Sequence, residues 1–121
     1  MASTTFIEYK GVPIAFLDFA NVQSPDEALQ AIEEAGQLVQ AQPFRSVRTL
    51  THVAGSRFNG DVLEAIKRLA VNNRPYVIAG AVVGLSGLQK VVYTTVMRFS
   101  KRNIPAFSDL EAAKEFLIAQ R

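Results

Sequence analysis

Apolar residues dominate the chain from Thr5 to Phe19, interrupted by one polar turn. Thr5–Tyr9 and Val12–Phe19 read as two strands rich in aromatic and branched side chains, joined through Lys10 and Gly11. The second run, VPIAFLDF, is nearly all apolar and is expected to be buried on both faces. Pro13 suits a place near the strand start rather than its middle. The period then changes. Leu29, Ile32, Gly36 and Val39 recur at helical spacing behind SPDE, where Ser24 can cap, Pro25 fits the first helical position and Glu27 completes a capping box. Pro43 closes that helix.

Val47–Val53 reads as a third strand, followed by the polar loop AGSRFNGD. Val62, Leu63, Ile66, Leu69 and Ala70 then mark an amphipathic helix that ends at NNRP. Tyr76–Val83 is a continuous apolar run of the kind found in central strands. Leu88, Val91, Val92, Val96 and Phe99 supply the buried stripe of the next helix, with Lys101 and Arg102 in its last turn, where cations suit the dipole. Ile104–Phe107 is a short fifth strand. SDLE, Ser108 to Glu111, repeats the capping-box pattern ahead of the apolar face Leu110, Ala113, Phe116 and Leu117.

The resulting order, β-β-α-β-α-β-α-β-α, predicts an α/β fold. Residues 1–121 form one domain, with a mostly parallel five-stranded sheet, one antiparallel hairpin at its start and helices packed on it. No repeat or linker interrupts it. Hydrophobic residues make up 49% of the 121, enough for a core. Thirteen basic against 11 acidic residues give a net charge of +2, too balanced to suggest nucleic-acid binding.

Cysteine is absent and His52 is the sole histidine, which excludes disulfides, Cys-ligated zinc and multi-His metal sites. No cofactor is expected. The longest apolar run, YVIAGAVVGLSGL, is about 13 residues, short of the roughly 20 of a membrane span. The start, MASTTFIEYKG, lacks the basic head and apolar stretch of a signal peptide. A cytoplasmic location without an integral membrane segment is the expectation.

The segment AVVGLSGLQKVVYTTVMRFSKRNIPAFSDLEAAKEFLI, Ala81 to Ile118, resembles the C-terminal half of the small stand-alone bacterial proteins called SpoIIAA-like, or STAS and CRAL-TRIO-like. Their half runs strand, a VVGLSG-x-x-K-like turn, a basic-ended helix, and a short strand leading into F-x-x-x-x-x-A-x-x-[FW]-L. The element order is also similar to that of the STAS domain of anti-sigma-factor antagonists. The resemblance implies a regulatory or binding module of that fold. In the sporulation antagonists a serine in a DSSG turn after the third strand is phosphorylated by a partner kinase. Here the corresponding stretch is SRFNGD, with Asn59 and Gly60 in place of the serine pair and Ser56 earlier in the loop. The resemblance therefore carries no such switch to this chain.

Ligands of parallel sheets bind beyond the carboxyl ends of the strands, at the switch point of strand order. Two loops are expected there as neighbours, Gly55–Asp61 and Gly84–Lys90, each leading into a helix N-terminus that favours anions. Ser56, Arg57, Asn59, Gly60, Gly84, Ser86, Gly87 and Lys90 are the candidate ligand or partner contacts. The competing reading makes Gly84 and Gly87 parts of a tight turn, Ser86 a helix cap and Lys90 a solvated charge. The loop has neither the Walker A pattern nor GxGxxG.

His52 with Asp18 and Ser56 can be drawn as a hydrolase triad, although no GxSxG elbow accompanies it. Asp18 and Asn21 are expected at the same rim. Tyr93, Met97 and Arg98 are candidates for a partner or homodimer surface, residue types enriched in interfaces, or for packing against the last helix. Phe44 and Phe58 either wall an apolar cavity or fill the core.

The leading expectation is a non-enzymatic regulatory module that docks a protein partner or a small anionic or amphipathic ligand at loops 55–61 and 84–90. The alternative is a binder of lipid or other apolar small molecules. A hydrolase using Ser56 or Ser86 with His52 is the third.

Overall fold

The computed structural model describes residues 2–120. The chain forms β1 (Ser3–Tyr9), β2 (Val12–Asp18), α1 (Pro25–Gln40), β3 (Val47–His52), α2 (Gly60–Asn73), a 3-10 turn at Arg74–Tyr76, β4 (Val77–Val83), α3 (Leu88–Ser100), β5 (Ala106–Phe107) and α4 (Leu110–Ala119). The five strands make one mixed sheet in chain order, β1-β2-β3-β4-β5. β1 lies antiparallel on β2, and the other pairs are parallel. Because the parallel strands never reverse their order, the sheet has no topological switch point, which corrects the expectation that one would locate the site.

Crossovers of one hand between neighbours in chain order lay α1, α2 and α3 on a single face. Ala15, Leu17, Val47 and Val82 meet Ala31, Ile32, Val62 and Ala65 there. The alternate strand residues Ile14, Leu50, Ala81 and Val83 face the other way and are covered by Ala113 and Leu117 of α4. This two-sided burial is why β2 and β4 are almost continuously apolar.

Local chemistry sets the helix ends. The Glu27 amide donates to Ser24 Oγ at 3.4 Å with Pro25 in the first turn, as the sequence predicts. The Glu27 carboxylate does not close a capping box, because it accepts from the Ala2 amide at 2.9 Å and so ties β1 to α1. At α4 the cap is Asp109 rather than Ser108, its Oδ1 accepting from the Ala112 amide at 2.8 Å.

The face of α3 also differs from the expected stripe. Leu88, Val91 and Phe99 are 64%, 60% and 56% exposed, whereas Gln89, Val96 and Ser100 are buried. Apolar residues lie on both sides of this helix, and the side carrying Gln89 is the one that packs. Phe44 is exposed at its loop, tilted against Tyr76 with ring centres 5.0 Å apart, and neither walls a cavity nor fills the core.

Candidate functional site

The loops after β2, β3 and β4 are stitched together at the carboxyl ends of these strands. Phe19 N–H donates to the His52 carbonyl at 2.8 Å, Asn21 N–H to Ala54 at 2.8 Å, Val53 N–H to Val83 at 3.0 Å and Arg57 N–H to Val22 at 2.9 Å. Gly84 is required by this closeness. It has φ +94°, and a Cβ there would sit 2.6 Å from the Ala54 amide nitrogen. The loops 55–61 and 84–90 are thus neighbours, as the sequence predicts.

Gln89, which the sequence did not single out, joins them. Its buried side-chain amide donates to the Ser56 carbonyl at 2.8 Å, and its Oε1 accepts from the Ser86 amide at 3.1 Å. The spacing S-x-x-Q, Ser86 to Gln89, carries half of a capping box and was the signal available.

The predicted rim residues divide into two groups. Ser56 is buried and its hydroxyl donates to the Val53 carbonyl at 2.6 Å. Asn59 caps α2, its Oδ1 accepting from the Val62 amide at 2.9 Å. Gly60 opens that helix. These positions shape the loop. Arg57, Ser86 and Lys90 are exposed. The N-cap of α3 is Gly87, at φ +53° and without a side-chain bond, so Ser86 is not the cap.

His52 stands on the α4 face of the sheet, stacked on Phe16 and 3.6 Å from Asp18 Oδ1. That distance is too long for a hydrogen bond. Asp18 Oδ1 accepts instead from the Ala20 amide at 3.1 Å. With the Ser56 hydroxyl committed to a backbone carbonyl, no hydrogen-bonded Ser–His–Asp relay is formed among these residues.

The opposite face holds an apolar concavity, distinct from a larger and more polar groove between α1 and α2. A cavity of about 100 Å³ lies between β2, β3, β4 and the inner sides of α2 and α3. Its walls are mostly apolar, with Leu17, Leu69, Val82, Val92 and Val96 among them. Phe58 and Gln89 stand at the end near the stitched loops, and Asn73 and Arg102 at the other. Phe58 therefore walls a cavity, one of the two roles open to it in the sequence. Tyr93 and Met97 also line it, which turns them inward, while Arg98 is exposed. The Tyr93 hydroxyl donates to the Ile104 carbonyl, and burial raises its pKa above the usual phenol value. Asn73 is held by Gln40, whose Nε2 donates to its Oδ1 at 2.9 Å.

Among the described residues no cluster of three or more His, Cys, Asp or Glu is placed to hold a metal, and no helix is long and apolar enough to cross a membrane. No protein-family model, curated protein or solved structure matches the chain.

Proposed function

We propose that this domain is a non-enzymatic binding module that takes an apolar or amphipathic small molecule into the cavity between the sheet and helices α2 and α3. The observation that carries the reading is the cavity itself. A concavity of about 100 Å³ walled mostly by apolar side chains favours the transfer of a hydrocarbon group out of water. Larger side chains at Ala70 or Val82 would fill it, so the open volume is a property of this particular sequence. The likeness of Ala81–Ile118 to SpoIIAA-like and CRAL-TRIO-like proteins agrees with a binding role. Native mass spectrometry of protein purified gently from cells is expected to show an added small mass that Val96→Phe removes. A bare polypeptide mass, together with no response of cavity methyl resonances to added 1-hexanol, would reject the reading.

A second reading places an anionic ligand or protein partner at loops 55–61 and 84–90. It is favoured by one observation: the Arg57 and Lys90 side chains are exposed at these adjoining loops and form no ion pair among the described residues. Titration with inorganic phosphate, comparing wild type with the Arg57→Ala, Lys90→Ala double variant, tests it. Equal shifts in the two proteins would remove this site.

A further inference from the structure

One wall of the apolar cavity is charged. Arg102 is brought there by the way α3 ends. Lys101 takes a left-handed φ of 57°, the Arg102 amide donates to Ser100 Oγ at 3.4 Å, and Ser100 Oγ donates to the Val96 carbonyl at 2.7 Å. The guanidinium then reaches the C-terminal end of α2, where Nη1 donates to the Ala70 carbonyl at 3.2 Å.

That bond uses one of its five N–H donors and is the one side-chain bond it makes among the described residues. No described carboxylate lies within ion-pair distance of it. The charge acting on it is Arg74, of the same sign. Burial and Arg74 together push the Arg102 pKa down to about 10, so the group is cationic at neutral pH, with no anion paired to it among the described residues. A partly buried charge beside an apolar space is costly unless it is paired. Support of the α2 C-terminus accounts for one donor and leaves the rest of the fork open.

We propose that the cavity binds a small hydrophobic monocarboxylate, its hydrocarbon part among Leu69, Val82 and Val96 and its carboxylate paired with Arg102 at the end away from the stitched loops. The inference rests on the reading of the cavity as a ligand site and adds the headgroup and its direction. A planar guanidinium matches a carboxylate with two parallel hydrogen bonds, which an alcohol or an amine cannot reproduce. Size sets the tail. A dry cavity of about 150 Å³ takes benzene, so about 100 Å³ holds a hydrocarbon part of about four carbons, and its open side leaves room for the next one in the chain.

The test is an NMR titration at neutral pH with sodium hexanoate, 1-hexanol and hexylammonium chloride, on wild type, Arg102→Gln and Arg102→Lys. Hexanoate is expected to bind wild type about tenfold or more tightly than hexanol, with hexylammonium weakest. In Arg102→Gln the hexanoate advantage should vanish while hexanol affinity stays within about twofold. Arg102→Lys keeps the charge without the fork and should retain part of the preference; it serves as the decisive variant if Arg102→Gln does not fold. Hexanol binding as tightly as hexanoate would overturn the carboxylate assignment and leave the cavity reading standing. A hexanoate preference that survives both substitutions would overturn the role of Arg102. No binding by any of the three probes would overturn both.

Discussion

The side-chain amide of Gln89 bridges Ser86 and Ser56, accepting from the amide of one and donating to the carbonyl of the other. One buried side chain from α3 thereby fixes two loops that follow different strands. Gln89→Leu would leave a backbone N–H and a backbone C=O without these partners, at a cost of about 1–3 kcal/mol. Urea denaturation should show a lower midpoint with an unchanged slope. An unaltered midpoint would mean that water replaces both bonds at no cost.

Gly84 and Gly87 share a left-handed backbone but not the same surroundings. A Cβ on Gly84 meets the Ala54 backbone, whereas one on Gly87 meets nothing within 4 Å. Gly84→Ala should therefore cost more than the roughly 1 kcal/mol expected of Gly87→Ala from conformation alone. Thermal melts of the two variants side by side give the comparison, and equal losses would show that the loop shifts freely away from Ala54.

Lys101 ends α3 at φ 57°, a conformation that glycine adopts without strain. Lys101→Gly should stabilise the domain by a few tenths to about 1 kcal/mol. The same substitution lies beside Arg102, so unchanged affinity for hexanoate would show that the turn, and not the lysine charge, positions the guanidinium. A lowered melting temperature would contradict the strain argument.

Glu115 gathers two donors from the β1–β2 turn, Lys10 Nζ at 2.6 Å and the Tyr9 hydroxyl at 2.7 Å. These hold its carboxyl below the usual carboxylate range. The native state thus favours the ionised form, so the stabilisation is complete above the unfolded pKa of about 4.3 and fades as pH falls through the lower native value. The cluster is open to solvent, so the effect should be small and shrink with salt. Melting temperatures taken from pH 6 to pH 3 should fall less steeply in Glu115→Gln than in wild type. Parallel curves would show that the cluster contributes nothing.

The elements themselves were legible in the sequence. The strands β2 and β4 advertise burial on both faces, and SPDE announces α1. The inward face of α3 was not legible. Leu88, Val91 and Phe99 form as good an apolar row as the residues that pack, and the deciding residue, Gln89, is polar. Its burial depends on orphan backbone groups in two loops that meet only in the folded chain. The cavity is a relation between Val82, Leu69 and Val96, each an ordinary core residue alone, and no pattern along the chain encodes the space left between them. Lys101 and Arg102 were expected to serve their own helix, yet Arg102 reaches across to α2, a contact that depends on the left-handed turn before it.

Strand order that follows chain order has a consequence for assembly during synthesis. Each parallel strand finds its neighbour already made, and α1, α2 and α3 close one side of the sheet as they emerge. The other side waits. Ile14, Leu50, Ala81 and Val83 are covered by α4, through Ala113 and Leu117 with Leu110, Phe116 and Ile118 packed beside them. A chain halted before Ser108 would therefore carry a sheet covered on one side and without its α4 cover on the other, an exposed apolar face of the kind that favours association.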